Sequence, residues 1–473
     1  MSTSSKLSRR KVLTAAAASA LSPSVLTARA ADERAAQENT PAQPAAVFPR
    51  HDPAGRGIGV MPGRVVWAYD PQSVSWDGTG YWWQLEHFDG VRIRRMLDRS
   101  IVALAGLDPE KAAGAAVLED AWRRLFENFN ERTTGRKEGH APGERIAVKV
   151  NMNGAGAYGS RAPGFTQESY GNAVLMRALL TSLVEGAGID AGDIVFYDAG
   201  RVFPQYLMDY VRTGSKPHSV HGAQPHYPQV AFRHRAPGTE LDAVADKSSA
   251  ILWSGDIRGD VCYVPKCVAE SRYLINLANL KGHCYGLTLC GKNHFGSFVN
   301  TDRMRAPQAA GLHGNIAGAR PGNYSVLVDL MGHHALGAKT MLCLLDGLLT
   351  AVSESVSLTA EDARWSMPPF DSGFCASLFA SQDPVAIDSV GADFLMNESN
   401  MTRRNSALAG NVGVENYLHE AAAADHPRSG THYTDGEGHA LESLGVHEHW
   451  DNVRDKRYSR NLGKSEGIEL VRV

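Results

Sequence analysis

Apolar residues along the chain fall into short runs separated by stretches of helical spacing. The clearest run, residues 273–280 (YLINLANL), reads as a buried strand. Residues 145–153 (RIAVKVNMN) alternate, so Val148, Val150 and Met152 face one way and Lys149, Asn151 and Asn153 the other. Further strands are expected at 193–199 (DIVFYDA), 339–345 and 376–381. Between and around them, helical spacing predicts helices over 91–105, 111–132, 167–187, 204–211, 324–334 and 385–396, the last started by the Asp383-Pro384 pair. A short helix is expected at 285–295, with Thr288 and Lys292 sharing a face and Leu289 and Asn293 likewise. Repeated strand-helix units predict an α/β fold, an open, mostly parallel, doubly wound sheet that binds ligands beyond the carboxyl ends of its strands.

Outside this core the pattern weakens. Residues 64–88 gather Trp67, Tyr69, Trp76, Tyr81, Trp82, Trp83 and Phe88, and are expected to form an aromatic-rich N-terminal cap that packs on the main domain. Residues 214–240, rich in proline, histidine and glycine, read as an insertion whose histidines lie in loops. The domain plan is then a segment 1–31, a linker 32–63, cap and helices 64–140, the main α/β domain 141–400, and an irregular C-terminal extension 401–473 packing on it. His419, His447 and His449 of that extension read as solvated loop residues, with His447 and His449 flanking Glu448 as the feature a metal could use, and 469–473 reads as an added sheet edge.

At 473 residues and 43% hydrophobic the chain can bury a substantial core. Residues 1–31 resemble a twin-arginine export signal: Ser8-Arg9-Arg10-Lys11-Val12-Leu13, a mildly apolar stretch, then Ala28-Arg29-Ala30. This resemblance implies passage through the twin-arginine export machinery, signal removal, and a periplasmic or extracellular destination. The first 30 residues hold five basic groups and no acid, so without them 48 basic against 51 acidic residues becomes 43 against 51, a net charge of −8. No basic run with interleaved aromatics is present, which excludes a nucleic-acid partner. No stretch of about 18 apolar residues predicts a stable membrane span. The six cysteines have no CxxC spacing, so an iron-sulfur cluster of the ferredoxin kind is not supported.

The chemistry concentrates around 281–296, where Lys281, His283, Lys292, Asn293 and His294 crowd together with Gly282, Gly286, Gly291 and Gly296. Lysines and amides at a glycine-rich strand end suit an anion. The candidate catalytic residues are His283, as acid or base, with Lys281 and Lys292. Lys149, Asn151, Asn153, Thr288 and Asn293 are the candidate substrate-binding residues. Asp198, Asp346 and Asp383 each end a predicted strand, and carboxylates of that kind can orient a base or hold a divalent metal. A metal at His283, Cys284, Cys290 and His294 is the weaker alternative, since the spacing matches no standard zinc site.

The segments KVNMN, LINLANLKGHCYGLTLCGKNHFGS, His313, LLDGL with Asp346-Gly347, and SQDPVAIDSVGADFL follow in an order that resembles the domain-of-unknown-function family numbered 362, over roughly residues 140–400. Many members are fused to ferredoxin modules, and this chain departs from them by lacking the cysteine runs. The expectation is an exported enzyme acting on a small carboxylate or phosphate, with a metal or other cofactor left open. The competing class is a non-catalytic periplasmic binding protein for the same kind of ligand.

Overall fold

In a computed structural model of the chain, residues 48, 50–157, 159, 162–215, 226–257, 261–300 and 312–473 are described. The segment resembling an export signal and most of the linker lie outside them, as do His218 and His221 of the expected insertion.

Eight strands build the central sheet: β1 Arg64–Tyr69, β2 Ile146–Val150, β3 Ile194–Asp198, β4 Ala231–His234, β5 Tyr273–Asn279, β6 Thr340–Gly347, β7 Ser377–Ser381 and β8 Glu469–Arg472. Their spatial order is β8-β1-β7-β6-β5-β2-β3-β4. All neighbours run parallel except at β7, which is antiparallel to both β6 and β1, so β7 alone points the other way. The α/β expectation of an open, mostly parallel sheet holds.

The strands between the two edges, β4 and β8, are largely buried on both faces, which is why most of them read as near-continuous apolar runs. On β5, Tyr273, Ile275 and Leu277 face one apolar layer, while Leu274 and Ala278 face the other. The first layer is made by α1 Gly90–Leu104, α2 Ala115–Thr134, α3 Ala173–Thr181 and α4 Gln205–Thr213. The second contains α5 Cys290–Asn293, α6 Val326–Gly332, α7 Pro384–Asn397 and α8 Asn416–Ala422. Caps fix where helices start: Asp89 accepts from the Val91 and Arg92 amides, and Asn172 from those of Val174 and Leu175.

Five sequence expectations change. Residues 285–289 are not helical: Lys281–His283 and Gly286–Thr288 form an antiparallel hairpin, and the helix begins only at Cys290. Glycines at 282 and 286 allow this; a side chain at Gly282 would run into the Val352 carbonyl, and Gly286 sits at φ 123°. Helix 167–187 shortens to α3, because Asn172 caps it, and finishes as a π turn over Ser182–Gly186. The expected insertion contains edge strand β4, and the expected cap begins with β1, which lies inside the sheet between β8 and β7. The described part of the expected linker is ordered against the rest: Ala54 and Gly55 pair with His447 and Val446, and the Ile58 amide donates to Asp383.

Candidate functional site

The chain runs from β2 out to β3 and β4, then returns on the other side of β2 as β5 and β6. The reversal lies between β2 and β5, and at such a point the loops leaving adjacent strands part in opposite directions and open a crevice. The carboxyl ends of β5, β2 and β3 meet there. A cavity of about 60 Å³ opens at that place, room for a few waters and hence for a carboxylate or phosphate group.

Lys149, Asn151 and Asn153 line it from the end of β2, and Asp198 from the end of β3. Lys281, His283 and Thr288 line it from the hairpin, and Lys292 and Asn293 from α5. Thr288 and Lys292 thus share the cavity although they do not share a helix. Two predicted residues lie elsewhere. Asp346 caps its own loop, accepting from the Leu348 amide, and ties α3 to β6 by accepting from the Asn172 amide. Burial pushes its carboxyl up to about 6. Asp383 follows the reversed strand β7 and so emerges at the opposite edge of the sheet from the cavity. It caps α7 through the Val385 and Ala386 amides and accepts from those of Ile58 and Val446 as well. The three aspartates are therefore not gathered into one ligand group among the described residues.

The cavity has two kinds of wall. On one, every donor of Lys149 is spent. Lys149 Nζ donates to the Val150 carbonyl (2.6 Å), to Asn293 Oδ1 (3.0 Å) and to Asp198 Oδ2 (3.2 Å). Asn293 Nδ2 in turn donates to Asn276 Oδ1 and the Leu277 carbonyl. Asp198 also receives the amides of Met152, Gly200 and Arg201. A Cβ at Gly296 would come within 2.7 Å of Asp198 Oδ1 and 2.8 Å of Lys149 Nζ, so only glycine allows this approach.

On the other wall donors remain. Lys281, fully buried, donates to the Ser169 carbonyl (2.8 Å) and to nothing else among the described residues. Burial, against the pull of Glu354 and Glu168, pushes its ammonium down to about 8. Lys292 Nζ has no hydrogen-bond or ion-pair partner among the described residues and lies 4.4 Å from the Phe295 ring centroid. Burial brings it down to about 7, with Glu354 opposing and Lys281 and Arg201 assisting. His283 Nδ1 accepts the Tyr285 amide, so the neutral ring carries its proton on Nε2, 3.6 Å from Glu354 Oε1. Burial and the lysine charges hold this imidazole well below its ordinary value.

Three contributors are not among the predicted site residues, although His313 stands in the motif order that carries the family resemblance. Arg201 lines the cavity with its Nε spent on Asn153 Oδ1 and its Nη1 on the Gly200 carbonyl. His313 stacks on His283 at 5.8 Å, and burial brings it down to about 4. Glu354 accepts the Cys284 amide and the Ser353 hydroxyl. Arg201 directly follows a strand-end Asp-Ala-Gly and could have been found; Glu354 stands in a Ser- and Val-rich loop with no pattern around it. The alternative ligand quartet does not assemble: Cys290 and His294 turn to Asn276, and His283 and Cys284 meet Glu354 instead.

The model of a family described as Domain of unknown function (DUF362) matches residues 146–393, and the chain belongs to that family. The match begins at the first residue of β2, ends within α7, and holds all the cavity residues named above. No curated protein matches the chain.

Proposed function

We propose that this DUF362 member is an enzyme acting on a small carboxylate or phosphate bound between β2 and β5. The observation that carries the reading is Lys292: a buried ammonium brought down to about 7, without a protein partner among the described residues, in a cavity shared with Lys281 and Arg201. Unspent cationic donors converging in a desolvated space favour an anion, because burying them otherwise is costly. Lys281 and Arg201 hold the anionic group. A lysine that titrates near neutrality carries a proton to or from the substrate, since proton transfer is most effective when the group's pKa matches the working pH. His283, fixed as the Nε2–H tautomer, donates to a substrate oxygen.

The test is a panel of small carboxylates and phosphates, scored for thermal stabilisation and for turnover in the presence and absence of divalent metals. Lys281→Met should abolish the stabilisation, while Lys292→Met should weaken it and lose turnover. Stabilisation without turnover of any panel member would favour the binding protein instead, and no stabilisation at all would remove the anion site. Passage through the export machinery is part of the same proposal; replacing Arg9 and Arg10 by lysine should trap the chain in the cytoplasm.

A further inference from the structure

A second cluster lies outside the family match and on the other side of α7 from the hairpin wall. The N-terminal segment brings His51, α8 brings His419, and the C-terminal strand Val446–His447 brings His447. Their ligand nitrogens lie within 4.8 Å of one another, and a Glu415 oxygen stands at the same spacing from His447 and His449. We infer that His51, His419 and His447, with the Glu415 carboxylate, form a binding site for one divalent transition-metal ion of zinc's class.

The argument rests on where the ring protons are. His51 Nδ1 lies 2.7 Å from the Asp52 carbonyl oxygen, which can only accept, so Nδ1 carries the proton and Nε2 presents a lone pair. Ser389 gives its hydroxyl proton to the Val385 carbonyl (2.7 Å), so it must accept from His447 Nδ1 at 2.8 Å. His447 Nε2 therefore also presents a lone pair. Both Nε2 atoms are buried and have no hydrogen-bond partner among the described residues, and His447 is completely enclosed. Two desolvated lone pairs at this spacing have nothing to accept from among the described residues, and a cation between them satisfies both.

The surroundings are those of metal-ligating imidazoles, whose second nitrogen donates to a carbonyl or other oxygen that fixes the ring. Glu415 lies one helical turn before His419, with 3.6 Å between His419 Nε2 and Glu415 Oε1. His449 bridges Glu415 Oε2 and Asp393 Oδ1, both at 2.8 Å, and so orients the carboxylate without being needed as a ligand. Imidazoles with one carboxylate suit zinc, copper or nickel, whereas calcium and magnesium take oxygen sets. An ion here would fasten three segments that are far apart in sequence: residues 50–55, α8 and residues 446–449.

The experiment uses untagged full-length protein, stripped with a chelator and titrated with Co²⁺ and then Zn²⁺. One equivalent of Co²⁺ should give visible d–d absorption, Zn²⁺ should displace it, and either ion should raise the melting temperature. His51→Ala, at the more open side of the cluster, and His447→Gln should each weaken Zn²⁺ binding by more than about tenfold, the least effect expected even of outer-shell partners. His449→Gln should weaken it less. Failure of the stripped protein to bind one equivalent would overturn the site, as would undiminished affinity in both His51→Ala and His447→Gln. A Co²⁺ spectrum lost in His283→Ala but kept in those two variants would place the ion at the His283, Cys284 and Glu354 group and overturn it equally. None of these outcomes depends on turnover, so they are separate from the test of the anion cavity.

Discussion

Lys149 and Lys292 stand on opposite walls of the same cavity, both in buried positions, and they do different work. Lys149 meets three acceptors, one of them a carboxylate, and Lys292 meets none among the described residues. Identical side-chain chemistry is structural where its donors are spent and available to a ligand where they are not. The Lys149 donors are thus closed within the protein and hold strand ends in place, and the lysine donors of the hairpin wall are open to a ligand.

The largest effect expected from this contrast is on stability. Lys149→Met leaves Asp198 buried without its cation and Asn293 without its donor, and should cost about 3–5 kcal/mol in urea unfolding. Lys292→Met, which removes a buried charge and breaks no protein hydrogen bond among the described residues, should be neutral or stabilising by about 1 kcal/mol without ligand. Equal losses from the two variants would erase the distinction between the walls.

Asp383 extends the comparison to a residue that shares the strand-end pattern and not the cavity. Its two oxygens serve four backbone amides, from α7, the N-terminal segment and the C-terminal strand. Asp383→Ala should cost about 3 kcal/mol, an N-cap plus amides left unpaired, while anion-induced thermal stabilisation stays as in the unaltered protein. A selective loss of anion binding, with the fold intact, would instead return Asp383 to the site.

Asp383 also marks where the sequence stops being informative. Hydrophobic periodicity locates β2, β3, β5, β6 and β7, because strands buried on both faces must be apolar along their length. Periodicity has no direction, so the reversal of β7 stays hidden, and with it the fact that Asp383 and Asp198 lie at opposite sheet edges. The hairpin at 281–288 was masked by a sequence, GLTLCGKN, that suits a helix as well as a strand. Strand β4 was hidden among prolines and histidines, and β1 among aromatics that suggest a cap. Lys281, His283 and Lys292 were legible because polar residues crowd behind an apolar strand. Glu354 was not, since only the folded chain brings it to His283. His51, His419 and His447 are hundreds of residues apart at the extremes and have no local spacing to notice.

The next effect is on anion affinity. Free Lys281 and Lys292 titrate at about 8 and about 7, and a bound anion favours their charged forms. Affinity for a small anion that keeps its own charge constant should be level below pH 7 and fall above it. The fall should steepen past pH 8, toward about a hundredfold per unit when both lysines must take up protons. Isothermal titration in two buffers of different ionisation enthalpy should show proton uptake on binding near pH 8. Affinity independent of pH from 6 to 9 would mean that neither lysine contacts the ligand.

The smallest effect is the mirror image of that one, in the ligand-free fold. Both lysines have folded values below the ordinary 10.5, so between roughly pH 7 and 10.5 the unfolded chain binds more protons than the native one. Their contribution to unfolding free energy must then rise with pH across that window and level off below it, where both states are charged. Lys292→Met removes one share of the slope, and a saturating anion flattens the slope by restoring the native protons. The difference in slope between unaltered protein and Lys292→Met, measured by urea unfolding at pH 7, 8 and 9, isolates that share from every other titrating group. A difference of zero would mean that Lys292 has found a partner in solution, and the open wall would be closed as well.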